Sequence, residues 1–350
     1  MAIYYGCPDK DYPVGGIRVI YRHVDTLNRN GIEAYALHRY YPFRCTWFEN
    51  TTRVAHEVRY PDLSRSFPAR AGRRLLRALG RPRPIDPLPV LELTTDDVLV
   101  VPEAMPRLAD IALGIPKAIF DQNAYLTLAP FALDAEPESL LYSSPEVLGA
   151  IVVSEDSRHY LETLFPELSI RRIHYGIDPS LFAFEADKQR QIAFMPRKNP
   201  GDVHQVLLRL RLTGRLEGWD VVEIADRTEA ETAAILRDSA VFLSFGHPEG
   251  FGLPAAEAML AGCVVVGYHG YGGREFLTDE LAFPIEVGDV VGFADRVAEV
   301  LDTLETRPDE LHSRAQVASR FIAENYSPER EESDLLAIWA EFTGMRTRPT

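Results

Sequence analysis

The sequence predicts an α/β protein of two doubly wound parallel sheets, and two observations predict it: a length of 350 residues, and two successive series of short apolar runs with helical patterns between them. A chain of that length exceeds one ordinary core and suits two domains of roughly 150 residues each. Apolar runs of three to five residues, alternating with amphipathic stretches, fit strands covered on both faces and joined by crossover helices.

The first series is Ile3 to Tyr5, Ala34 to Leu37, Val98 to Val101, Ala118 to Phe120 and Ile151 to Val153. The second is Ile192 to Met195, Val221 to Ile224, Val241 to Phe245, Val264 to Gly267 and Phe283 to Ile285. Between them, Arg171 to Phe182 reads as a strand-like piece that ends in Gly, Asp and Pro turn chemistry. The polar stretch Glu185 to Gln191 follows, so the boundary is expected near residue 185. The expected domains are 1–185 and 186–326. The charged, helix-prone tail from Arg314 to Phe342 offers Trp339 and Phe342 for docking onto a neighbour.

The formal charge of -15 disfavours a broad nucleic-acid surface, which would need clustered Lys and Arg to neutralise phosphates. Cys7, Cys45 and Cys263 are odd in number and far apart, so neither a disulfide framework nor a zinc knuckle is expected. The first residues lack a basic start followed by an apolar stretch, and no apolar run approaches the ~18 residues a bilayer requires. These readings give a cytoplasmic expectation. One stretch departs from the acidic average: Arg65, Arg70, Arg73, Arg74, Arg77, Arg81 and Arg83, with Leu75, Leu76 and Leu79 among them and no Asp or Glu. Two readings stand, a solvated helix or loop and a peripheral contact with anionic lipid at a membrane's inner face.

The chemistry is concentrated after Val241-Phe-Leu-Ser-Phe245, which reads as a buried strand. A glycine-containing loop, Gly246 to Gly252, leads from it into a helix that begins at Pro254 and ends before Gly262. Ligands of open α/β sheets bind at this carboxyl edge, and a helix N-terminus there suits a diphosphate. Glu249 and Glu257 can each accept from a pair of adjacent hydroxyls, such as a sugar or a ribose presents. Gly250 and Gly252 let the backbone approach a ligand closely.

The string Glu249-Gly-Phe-Gly-Leu-Pro-Ala-Ala-Glu257 resembles the Glu, seven residues, Glu hallmark of retaining GT-B glycosyltransferases, particularly family 4. Ile151 to Arg158, His174 to Phe182, Gly270-Tyr-Gly-Gly-Arg-Glu275 and Phe321 through Trp339 also look like that family's segments. The resemblance implies two Rossmann-like domains facing each other across a cleft, with a C-terminal helix, about 327–345, crossing back to the first. It implies that Glu249 and the backbone of Gly250, Phe251, Gly252 and Leu253 address the donor sugar while Glu257 holds the ribose. Transfer would retain configuration, with a nucleotide-diphosphate sugar as donor and a saccharide or lipid-linked acceptor. The protein would position reactants and stabilise the leaving diphosphate, and no cofactor or catalytic metal is expected.

Other groups follow from position. Gly15-Gly16 comes after the first strand and opens a helical stretch, where free N-H groups meet a diphosphate or an acceptor. Arg197 and Lys198 follow the second domain's first strand and would neutralise charge on a departing nucleoside diphosphate. Relatives usually space these cations five apart, whereas here they are adjacent and the position five beyond Arg197 is Asp202. That departure motivates the alternative of a catalytically inactive nucleotide-sugar-binding or scaffold protein. Gln122 and Asn123 offer neutral hydrogen bonds to a sugar. His23, His38 and His247 are isolated, and none is assigned as a general base.

Overall fold

The computed structural model describes residues 1–57, 59 and 91–344. The arginine-rich stretch from Arg65 to Arg83, with the lipid contact expected of it, lies outside the described residues. The chain forms two compact units, one of Met1–Phe120 with Pro130–Gly149 and one of Asp121–Ala129 with Ala150–Thr350.

The elements run β1 (Ile3–Gly6), α1 (Gly15–Arg29), β2 (Ala34–His38), β3 (Val54–His56), β4 (Val98–Pro102), β5 (Lys117–Asp121), β6 (Val147–Val152), α2 (Glu155–Leu164) and β7 (Ile170–Arg172). They continue β8 (Gln189–Phe194), α3 (Pro200–Leu212), β9 (Asp220–Glu223), α4 (Glu229–Asp238), β10 (Ser239–Ser244), α5 (Leu253–Leu260), β11 (Val264–Gly267), β12 (Phe283–Pro284), α6 (Val290–Thr306), α7 (Pro308–Asn325) and α8 (Pro328–Thr343). One sheet has the order β3-β2-β1-β4-β5-β6-β7 and the other β12-β11-β10-β8-β9. Pairing is parallel, as between β1 and β4 and between β8 and β10.

Each expected apolar run lies on or at the end of a strand. β4 is buried at all five positions, as a strand covered on both faces must be. β3 and β7 fall outside the two expected series. Val54-Ala55-His56 is half-buried and, among the described residues, pairs only along β2 at the sheet edge, so it carries no continuous apolar signal. In α1, Ile17, Ile20, Val24 and Leu27 are buried at helical spacing, and Asn28 closes the turn into β2 by donating to Val24 O and Ala34 O.

In the second unit, Val241, Leu243, Val264, Val266, Phe293 and Val297 form the core on which β10 and β11 rest. α4 starts with a capping box between Thr228 and Glu231. Gly262 ends α5 at φ +91°, where a β-carbon would come within 2.9 Å of the Phe184 ring. Trp339 on α8 is fully buried, and Phe342 meets it edge-on at 6.2 Å. α8 is tied to the chain around β7 by Arg171–Glu341 and by His174 Nδ1 to Asp334 at 2.6 Å. Lys188, on the chain entering β8, donates to Leu236 O, Arg237 O and Ala261 O, the carbonyl ends of α4 and α5. A cation suits that pole of two helices, although burial lowers the lysine's pKa. Among the described residues no helix is long and apolar enough to cross a membrane.

Candidate active site

Strand order decides where the second unit can bind. From β8 the chain goes to β9 on one side and returns to β10 on the other, so the order reverses between β8 and β10. That reversal opens a crevice at the carboxyl edge, where open α/β sheets hold ligands. The loops after β8, β10 and β11 meet there and carry Lys198, Glu249 and Tyr271.

Lys198 Nζ lies 2.9 Å from Glu249 Oε1 and also donates to Pro248 O. Arg197, its neighbour, is exposed. The structure thus separates the two cations that the sequence placed together. Asp202, at the position five beyond Arg197, accepts from Tyr268 OH at 2.8 Å, so it serves the fold. Asn199 takes left-handed backbone, φ +49°, and its side-chain amide donates to Phe245 O and His247 O. The β8 loop therefore props the β10 loop from beneath.

The main chain of Glu249 is fixed from the other side. Its N-H donates to Gly270 O at 2.8 Å and its carbonyl accepts from Gly272 N at 3.1 Å, a parallel bridge to Tyr271. Gly272 must be glycine, since a β-carbon would stand 2.0 Å from Gly250 O. Phe251 is buried in an aromatic cage of Tyr175, Phe276 and Tyr326, with ring centroids 5.0 to 5.4 Å away. This anchor turns the loop into α5. Gly252, at φ +99°, precedes Leu253, and the helix opens with no side-chain cap and no acid in its first turn. Glu257 shares the less buried face of α5 with Leu253 and Pro254, while Ala255, Ala256, Ala258 and Met259 face the core.

Gln122 and Asn123 also belong to this unit. Gln122 Oε1 accepts from Tyr175 OH at 2.9 Å, and Asn123 reaches Pro248 O with its amide at 3.4 Å. His247 packs edge-on against Tyr271 at 4.6 Å, and its Nδ1 has no hydrogen-bond partner among the described residues. Burial, then the nearby Lys198 and Arg274, lower its pKa and keep the ring neutral at pH 7. Behind the site, Arg172 pairs with Glu275 at 2.5 Å and Tyr326 OH donates to the same carboxylate. Burial raises the Glu275 pKa against the pull of Arg172. No group of three or more His, Cys, Asp or Glu among the described residues is placed to hold a metal.

Gly15 and Gly16 lie in the first unit. α1 opens at Gly15 after Val14, which provides no side-chain cap, and its first turn holds no acid. His23 and His38 are buried there. His38 bonds to Tyr21 OH at 2.7 Å and to Asp9 at 3.0 Å, a structural role. The sequence missed Tyr271 and the aromatic cage around Phe251. The only sequence signal for the cage was a set of aromatics scattered over some 150 positions.

Residues 211–316 match the family model for glycosyl transferases group 1. An alpha-1,6-glucosyltransferase of Actinobacillus pleuropneumoniae serotype 7 (strain AP76) is 31% identical over 265 residues, 72% of this chain and 77% of the relative. Among solved structures, sucrose-phosphate synthase from Thermosynechococcus elongatus has a TM-score of 0.65 at 13% identity, covering 98% of this chain and 99% of its own. A glycosyltransferase from Rickettsia africae ESF-5 gives 0.64 at 13% identity over 97% and 98%. Anabaena HepE, solved in complex with UDP, gives 0.62 at 12% identity over 99% and 100%. These structures share the fold.

Proposed function

Because the chain belongs to the glycosyl transferases group 1 family, and is therefore a glycosyltransferase of the GT-B fold class, we propose that it takes a sugar from a nucleotide-diphosphate donor held on residues 245–257 and passes it, with retention, to a saccharide acceptor, free or lipid-linked. The observation that carries this reading is the 2.9 Å pair of Lys198 and Glu249 at the strand-order reversal.

The pair supplies the two functions a sugar-diphosphate needs. An ammonium stabilises phosphate charge as the glycosidic bond breaks, and a carboxylate beside it accepts from sugar hydroxyls. A bound diphosphate would compete with Glu249 for Lys198 and turn the carboxylate toward the sugar. The uncapped N-terminus of α5 adds N-H groups on the phosphate side, and Glu257, one turn on, takes the ribose. The altered Arg-to-Lys spacing, which favoured an inactive scaffold, loses its force because Lys198 alone already reaches Glu249.

The matching relative is named for an alpha-1,6 linkage and for glucose. An α product follows from an α-linked donor when configuration is kept, which supports retention, glucose and a hydroxymethyl oxygen as acceptor. No side chain is assigned as general base. The donor phosphate takes the acceptor's proton as the bond forms, and the protein's part is to hold the reactants and the leaving charge.

The test is a thermal-shift screen of UDP, GDP and ADP, followed by hydrolysis of the matching glucose donor without acceptor. Stabilisation by one diphosphate and slow release of glucose are expected. No shift with any diphosphate would overturn the donor reading. A shift with no turnover on any acceptor would restore the inactive scaffold.

A further inference from the structure

Tyr271 is the residue in the site whose backbone is strained. Its φ of +79° and ψ of -61° lie in a γ-turn region that a side chain enters rarely and at a cost. Glycines flank it at 270, 272 and 273, yet position 271 itself carries a large ring. Strain of this kind persists only where the surroundings over-determine it, and three contacts do so here. Glu249 bonds to the carbonyl before Tyr271 and to the N-H after it. His269 Nδ1 accepts the Tyr271 N-H at 3.0 Å. The half-buried ring packs against Tyr125 at 4.7 Å and His247 at 4.6 Å, with the Arg274 guanidinium 4.6 Å over its face.

These side chains already engage its ring. Its reach is through the main chain, into the one residue the Lys198 pair depends on. We infer that Tyr271 is a positioning residue for Glu249: ring packing holds a strained backbone, and the parallel bridge passes that constraint to the carboxylate that meets the donor sugar. This rests on the donor reading above and adds the element that aims Glu249. His269 belongs to the same device, since its acceptor nitrogen serves the Tyr271 N-H. Burial and then Arg274 keep the imidazole's pKa low, which preserves that acceptor at neutral pH.

The test compares Tyr271→Gly, Tyr271→Phe and His269→Ala, each alone and with Glu249→Gln, using UDP and UDP-glucose as probes. Tyr271→Gly frees the backbone and removes the ring, so its melting temperature should stay level or rise while kcat/KM falls by roughly 10- to 100-fold, the cost of a misplaced group. The shift produced by UDP alone should be unchanged, because the diphosphate is not what Tyr271 aims. Tyr271→Phe should restore the lost activity, and His269→Ala should reproduce part of the loss even where the glycine variant folds poorly.

In the Glu249→Gln background, Tyr271→Gly should add little, since both changes remove one function. Full activity in Tyr271→Gly and His269→Ala, or losses that multiply with Glu249→Gln, would overturn the inference. If Glu249→Gln itself leaves sugar turnover intact, the donor reading fails instead, and the two failures are told apart.

Discussion

Gly250 and Gln122 pack backbone against backbone, so closely that a β-carbon at 250 would stand 2.0 Å from Gln122 O. Residues 121–129 therefore press on the Glu249 loop through a contact that only glycine permits. Gly250→Ala should cost about 1 to 3 kcal/mol, the range for overpacking a filled site. Urea midpoints would check it; an unchanged midpoint would mean that the 121–129 segment moves aside freely.

Lys198 and Arg197 should part company in kinetics. Lys198→Ala removes the cation that pairs with Glu249 and should lower kcat by about 10²- to 10³-fold, as loss of one group aimed at developing charge does. Arg197→Ala, at an exposed position, should fall well short of that. Equal losses in both variants would refute the assignment of the cationic role to Lys198.

Glu257→Ala should weaken nucleotide binding by about 1.5 to 3 kcal/mol, the worth of hydrogen bonds to a charged group, or roughly 10- to 150-fold. Titration calorimetry with the diphosphate that gives the thermal shift reads this directly. Affinity equal to the unmodified protein's would remove Glu257 from the ribose.

His247 and His269 both have pKa values lowered chiefly by burial, with Lys198 and Arg274 acting next on His247 and Arg274 on His269. The unfolded chain, with ordinary imidazoles near pH 6.5, binds protons that these folded rings refuse. Their contribution to stability is present above about pH 6.5 and is lost as the pH falls through the depressed folded values. Urea midpoints at pH 7.5 and 5.5 should therefore differ, and less so in His247→Asn and His269→Asn. A pH dependence identical in the variants would exclude these rings as its source.

The strands and the acidic loop were legible because each leaves a contiguous signature. Val98 to Val101 and Val241 to Phe245 are apolar runs, and Glu249 to Glu257 keeps glycine, proline and two acids in fixed order. β3 left no such trace, being half-buried on a sheet edge. Adjacent Arg197 and Lys198 cannot be ranked from sequence, since which one turns inward depends on the left-handed turn at Asn199 and the carbonyl of Pro248. The aromatic cage of Phe251 joins Tyr175, Phe276 and Tyr326 across long separations, so it exists only after folding. Tyr271 was hidden for another reason. Its neighbours announce a flexible glycine loop, whereas two backbone bonds to Glu249 make that loop stiff.

Lys188 has all three ammonium protons committed to carbonyls at the ends of two helices. An amine in that state has no lone pair to offer, so an acylating reagent should pass it by in the native protein while the exposed Lys10 reacts. Modification of Lys188 would then time the moment when the chain entering β8 detaches from those helix ends, a built-in reporter of local opening that needs no added label.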